Sequence, residues 1–264
     1  MKAIGPVRLA LVHVKVAALN EFQYRLNFFV QLLQSGIALA VGLIAIAVVY
    51  SHTDSLGGWS QPQLLAVMGV HVLLSGVIRT FVAPNMRQLM EDVDDGNLDY
   101  ALTRPADAQL LVSVRRFSIW NVIDIVIGAV IVVWAGILVG GTVGLVGTLT
   151  FLVVVMCGAV IVYCVWLAAS TITFRLIRGD YMLQLLDGIY EAGRWPVTLY
   201  PTWLRMGLTF LVPLAFAITV PAEVIAGRFN AGSLVWTIVV TLGFVVVARI
   251  AWRTGIRSYS GASA

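Results

Sequence analysis

Three ionisable side chains stand inside or at the edge of long apolar runs: His71, Arg79 and Asp124. A charge at membrane depth is costly, so each is a functional candidate. An imidazole, a guanidinium and a carboxylate together could act on a lipid substrate. They could equally be structural. Arg79 lies within a turn of the end of its run and can extend its guanidinium to the interface. Asp124 lies about two turns inside the next run and can pair with Arg79 or with an arginine of another run. His71 is close to mid-run and can hydrogen-bond across helices. No other group of residues has the form of a reaction centre. GxSxG, HExxH and Cys/His ligand clusters are absent, and the three histidines, His13, His52 and His71, fall at different depths. Cys157 and Cys164 are seven residues apart on one helix, hence about 10 Å apart, too far for a disulfide. No Walker A loop is present to cradle ATP phosphates. No catalytic residue and no metal ligand are therefore assigned.

The second chemically distinct feature is the run PNMRQLMEDVDDGNLDYALTRPADAQLLVSVRR, which ends at Arg116. It is the longest interruption in an otherwise mostly apolar chain. It holds six of the 13 acidic residues: Glu91, Asp92, Asp94, Asp95, Asp99 and Asp107. A charged, folded loop between two spans is suited to docking a soluble partner.

The elements that position these residues follow from composition. The chain has 264 residues, 60% hydrophobic and only 11% charged, against roughly 25% charged in soluble domains. Such a chain cannot cover a water-facing surface and reads as an integral membrane protein. Its net charge of +4 is spread in ones and twos at the ends of apolar runs, which is how orientation signals are placed and not how a nucleic-acid groove is built. A span needs about 20 apolar residues. Six runs are predicted to cross: 26–50, 64–82, 117–139, 145–174, 206–225 and 234–252. Pro213 interrupts the fifth and Pro221 ends or kinks it. Broken backbone at membrane depth must be covered by protein or line a cavity, so this span either lines a path and bends, or is statically kinked. Alternating ten-residue β patterns are absent, and the fold class is all-α.

Sixteen Lys and Arg residues fall before span one, at or between spans two and three, between four and five, or at and after the end of six, and only Arg228 falls on the other side. The positive-inside bias predicts cytoplasmic termini and a cytoplasmic acidic loop. The short outer connections are SHTDSLGGWSQPQ, GGTVG and AGRFNAGS. Residues 1–25 form a separate N-terminal element. Ile4, Val7, Leu11, Val14, Ala18 and Phe22 recur at helical spacing with Arg8 and Lys15 on another face, which predicts an amphipathic helix on the inner leaflet or an extension of span one. No cleavable signal peptide is expected, because the first long apolar run starts near Leu26. Residues 253–264 form a short tail.

Three segments resemble the ABC-2 type permeases, the membrane subunits of ATP-binding-cassette exporters, in a branch formerly described as a domain of unknown function. GNLDYALTRP, Gly96 to Pro105, is similar to that branch's G-x-L-D-x-x-L-x-R-P pattern. RWPVTLYPTWLRMGLTFLVPLAFAITVPAEVIAG is similar to its P-x-x-x-Y-P … P … P … G pattern. The tail WRTGIRSYSGAS resembles W-x-x-G-[LI]-R-x-Y-x-[SG]-A. The resemblance covers essentially the whole chain. It implies a permease subunit paired with a second one, identical or related, over separate ATPase subunits that hold ATP and Mg. This chain would bind no cofactor and would not itself be an enzyme. It implies a multi-pass protein of a bacterial plasma membrane. It also implies a coupling helix after span two, at Asn85 to Asp94, with Asn85 as N-cap and an end near Gly96. Glu91 and Asp95 would share one face, and Leu89 and Val93 would contact the ATPase or pack inward. Arg87, Asp92, Leu98 and Asp99 complete the docking loop, and Arg104–Pro105 would fix the return toward span three. The competing expectations are a lipid-modifying membrane enzyme using Asp124, His71 and Arg79, and an ATP-independent secondary transporter, for which an inverted repeat is the sign sought and not found.

Overall fold

An unbroken helical run of 34 residues, Gln61–Asp94, forms the centre of the molecule. It comprises α2 (Gln61–Val77), a π turn (Ile78–Val82) and α3 (Ala83–Asp94). The run opens where the Ser60 amide donates to Gln63 Oε1 at 3.1 Å, and Pro62 occupies the first turn, where no amide partner is lost. Residues 64–71 are buried without interruption, the mark of a helix covered on every side. The computed structural model describes residues 25–103, 107–140, 144–172, 174 and 180–259. The expected N-terminal interfacial helix (save Arg25), Arg104 and Pro105 lie outside the described residues.

Around this centre stand α1 (Arg25–Tyr50), α6 (Val122–Val139), α7 (Leu145–Ile172) and α11 (Ala231–Ser258), each long and apolar enough to cross a membrane. Between the second and third crossings lie α4 (Asp99–Leu102) and α5 (Ala108–Ser113). No strand occurs among the described residues, and the protein is an all-α membrane protein. Phe29, Leu33, Ile37, Val41, Ile44 and Val48 are all exposed along α1 at helical spacing, a stripe that lipid satisfies and water would not.

The tightest packing joins α2 to α6. A Cβ on Gly76 would sit 2.5 Å from the Ile125 backbone nitrogen, and one on Gly69 would sit 2.9 Å from that of Val132. From the other helix, a Cβ on Gly128 would meet the backbone of Leu73. Small residues bring the two backbones together, which is how helices associate where lipid removes the hydrophobic drive between them.

The expected fifth span, 206–225, takes a different form. Its two arms, Thr202–Leu211 and Ala215–Ile225, meet at 80°. The break falls at Val212–Pro213, and Pro213 has no amide to continue a helix. Pro221 causes no comparable break: it sits in the first turn of α10 (Val220–Ile225), directly after a π turn. Both ends of the folded segment reach the same loop. Thr198 Oγ1 accepts from Trp59 Nε1 at 3.0 Å, and Arg228 donates to the Gly58 carbonyl at 2.8 Å while lying over the Trp59 ring. A straight span would hold its ends about 30 Å apart. Arg205, counted with the loop-side charges, belongs at this end, where it bonds the carbonyls of Thr198 and Tyr200.

The stretch before that segment rises beside α2. Helix α8 (Asp180–Glu191) places the Tyr190 hydroxyl on the His71 carbonyl at 2.8 Å. Farther along, Arg194 and Trp195 line a hollow with Leu64 and Met68, and Thr198 meets Trp59. The chain thus runs antiparallel to α2 along nearly its whole apolar length.

Candidate functional site

The acidic run folds into a lobe at one end of the bundle, and one side chain closes its neck. Asn85 is fully buried. Its amide donates to the carbonyls of Phe81 and Arg116, both at 2.7 Å, and its oxygen accepts from the amides of Arg115 and Arg116 at 2.8 and 2.9 Å. Asn85 is therefore not an N-cap. Helix α3 continues α2 through the π turn and has no free first turn to cap. The carboxamide instead clamps the outgoing and returning strands of the lobe.

Below the neck, Met86, Leu89, Met90, Leu98, Leu111 and Val112 form a small apolar core. Leu89 thus packs inward. Asp92 is buried and bonded to the Arg115 guanidinium and to Gln88 Nε2. Its backbone carbonyl accepts from the amides of Asn97 and Leu98. Gly96, at φ 71°, makes the left-handed turn that ends α3 and that side chains with a Cβ resist. Asn85, Leu89, Asp92, Gly96 and Leu98 therefore build the lobe. Arg87, Glu91 and Asp95 face outward and Asp99 is half-exposed. Tyr100 and Leu110, which the sequence did not mark, are both exposed. A Tyr between Asp99 and Ala101 gives no periodic signal of exposure, so neither was legible.

The lobe is tied to two other helices. Ser113 and the Tyr163 hydroxyl share a 2.7 Å hydrogen bond to α7. Asp107 caps α5 by accepting from the amides of Gln109 and Leu110, and Arg249 of α11 donates to both of its oxygens, at 3.2 and 2.6 Å. That hydrogen bond from Arg249 holds the Asp107 carboxyl below its ordinary value, and partial desolvation opposes it. A depressed carboxyl stabilises above its ordinary pKa of about 3.9 and loses that contribution as pH falls through the folded value. Both partners are more than a third exposed, so the effect is local. With spin labels at Leu110 and Arg253, the distance between lobe and α11 is expected to stay constant from about pH 8 to 5 and to lengthen only as pH falls below the ordinary carboxyl value of about 3.9. Arg249→Ala is expected to give the long distance already at neutral pH and to remove the pH step; an unchanged distance in that variant would show that the pair does not hold the lobe to α11.

The three intramembrane candidates come together. His71, Arg79 and Asp124 line one cavity of about 70 Å³ with Ser35, room for a few waters. Asp124 is buried and accepts from the Ser35 hydroxyl and from Gln31 Nε2 at 3.3 Å, with Arg79 Nη1 at 3.7 Å. His71 stacks on Tyr190 with ring centres 4.8 Å apart. Its Nε2 lies 4.0 Å from Glu191, whose carboxylate is bonded by Arg194 at 2.6 Å. Glu191 and Arg194 belong to this group but were not marked in the sequence, because no apolar run contains them. Among the described residues no cluster of His, Cys, Asp and Glu could hold a metal ion.

The family model described as ABC-2 family transporter protein matches residues 37–263. The chain belongs to the ABC-2 transporter family. The match spans the lobe, His71, Arg79, Asp124, Glu191 and Arg194, and every described helix except the start of α1. No curated protein and no solved structure matches the chain. ABC-2 proteins are multi-pass transport subunits that associate with ABC ATPases. In this ABC-2 protein the polar lobe is the described part that projects from the apolar bundle in folded form.

Proposed function

We propose that this chain is the permease subunit of an ATP-driven exporter in a bacterial plasma membrane. It works with a second permease subunit and with separate ATPase subunits that bind ATP and Mg, and the lobe is their docking surface. The observation that carries this reading is the unbroken helix from Gln61 to Asp94. A partner that moves α3 moves a membrane helix, because no loop intervenes to absorb the motion.

Six crossings follow when residues 180–199 are taken as the fifth and 202–225 as a hairpin that returns to its own side. Asp187, Glu191 and Arg194 kept that crossing out of any apolar count. The charge bias survives. Of the sixteen cationic residues first placed with the lobe, Arg194 moves to membrane depth and Arg205 joins Arg228, leaving fourteen against two. The lobe and both termini are then cytoplasmic. The alternative of a lipid-modifying enzyme loses support, since Asp124 is occupied by Ser35, Gln31 and Arg79.

Outward Glu91 and Asp95 supply the acidic docking face, with Arg87 beside them. ATP drives the cycle only through its different affinity for the two states of the assembly. The double substitution Glu91→Arg/Asp95→Arg is expected to weaken ATPase association at least about tenfold, as reversed charges at an interface do, without loss of the folded permease. Co-purification of the ATPase from detergent extract measures it. Unchanged association, or a permease that purifies with no ATPase at all, refutes the docking role.

A further inference from the structure

Arg79, Glu191 and Arg194 pose a problem that the docking role does not solve. Their side chains are 53%, 46% and 40% exposed. Glu191 and Arg194 stand on the stretch that runs antiparallel to α2, at the depth of the apolar bundle, and Arg79 lies near the lobe end of the same surface. His71, whose Nε2 faces Glu191, is ten residues from the start of α2, about 15 Å into a hydrocarbon layer of about 30 Å. Half-exposed charges at that depth do not face lipid: they face a water-filled cavity or other protein. Elsewhere the exposed surface of the bundle is apolar, as along α1 and at Val239, Leu242 and Val246 of α11.

We infer that the surface carrying Arg79, Glu191 and Arg194 is the wetted wall of the translocation path, and that it receives the charged head of an amphipathic cargo. The wall is formed by α2 and residues 191–194, rests on the permease assignment, and names the cargo class for it. Glu191 and Arg194, paired with each other at 2.6 Å, present both signs of charge, so a zwitterionic head can exchange for either partner. Leu39, Val72 and Ile127 line the same small cavity, so the wall has an apolar side next to its charged one. His71 Nδ1, buried and without a hydrogen-bond partner, is a further polar atom in this group that lacks a mate.

Thiol labelling in native membranes tests this. With Cys157→Ala and Cys164→Ala as background, single cysteines replace Glu191, Arg194 and Ser75. Ser75→Cys is nearly isosteric and lines the same cavity, so it reports on the wall even where a charge removal disturbs folding. Val246→Cys on the exposed face of α11 is the lipid control. A charged methanethiosulfonate reagent needs a hydrated thiolate, and is expected to label the wall positions at least about tenfold faster than Val246→Cys. Dihexanoylphosphocholine below its micellar concentration should then slow labelling of Ser75→Cys, and hexanol should not. Equal, slow labelling at all positions overturns the wall, whether lipid or a second subunit covers it. Fast labelling that the phosphocholine leaves unchanged overturns the cargo class. Labelling needs no bound ATPase, so a failed docking experiment leaves this result intact, and slow labelling beside intact docking overturns the wall alone.

Discussion

Gly128→Ala is expected to destabilise the membrane bundle by about 3 kcal/mol, although it adds one methyl group. The new Cβ would press on the Leu73 nitrogen and Cα, which belong to the facing helix. Backbone cannot turn away as a flexible side chain can, so α6 must move off α2, and the contacts at Gly69 and Gly76 open with it. Gly243, on α11, has nothing within 4 Å of the same added atom. Gly243→Ala should therefore stabilise by up to about 1 kcal/mol, because alanine loses less backbone entropy in a helix. The two substitutions are chemically identical and opposite in sign. Thermal stability of the purified variants, followed by size-exclusion chromatography after heating, reads both. A Gly128→Ala protein as stable as the parent would show that the α2–α6 contact is looser than described.

The second large effect belongs to Asn85. Asn85→Ala leaves two amides and two carbonyls at the neck without their partner. Each buried, unmatched group costs about 1–3 kcal/mol, and some will recover water, so a loss of about 3 kcal/mol in local stability of the neck is expected. The peptide bonds after Arg115 and Arg116 lie in the clamped strand, and trypsin cleaves there when the neck opens. A loss of that size raises the open population by about a hundredfold, and cleavage follows that population. Asn85→Asp separates the roles of the carboxamide. It keeps the acceptor for the two amides but turns a carboxylate toward the Phe81 and Arg116 carbonyls, so it should cleave nearly as fast as Asn85→Ala. Resistance of Asn85→Ala to trypsin at parental level would remove Asn85 from the neck.

The apolar runs made α1, α6, α7 and α11 legible, because each needs only length and composition to be recognised. Residues 180–199 were not legible. Asp187, Glu191 and Arg194 break the hydropathy signal, and only the contacts with His71 and Trp59 reveal that this polar stretch runs alongside α2. Residues 206–225 posed the opposite difficulty, since their two arms meet at 80°. Their composition passes for a span, but composition does not say where the two ends go, and Pro213 alone did not distinguish a kink from a reversal. The possible pairing of Arg79 with Asp124 was readable from their depths, whereas Ser35 and Gln31 were not, since neutral side chains in an apolar run announce no partner. Asn85 stood out as polar beside Pro84. Three of its four hydrogen bonds reach Arg115 and Arg116, about thirty residues away across the lobe and beyond any local capping rule.

The continuous helix Gln61–Asp94 has a consequence for the size of the motion that an ATPase must deliver. At 1.5 Å per residue it is about 50 Å long. The π turn at Ile78–Val82, where Arg79 and Asp124 tie it to α6, is its natural fulcrum. From there about 21 Å of rod lie toward the lobe and about 29 Å toward Gln61. Such a lever has a gain of about 1.4, so a shift of about 3 Å at Asp94 swings the distant end by about 4 Å, in the opposite direction. A small displacement of the lobe would then swing α2 together with α6, which the contacts at Gly69, Gly76 and Gly128 hold against it, and would move the far side of the membrane by more than the near side.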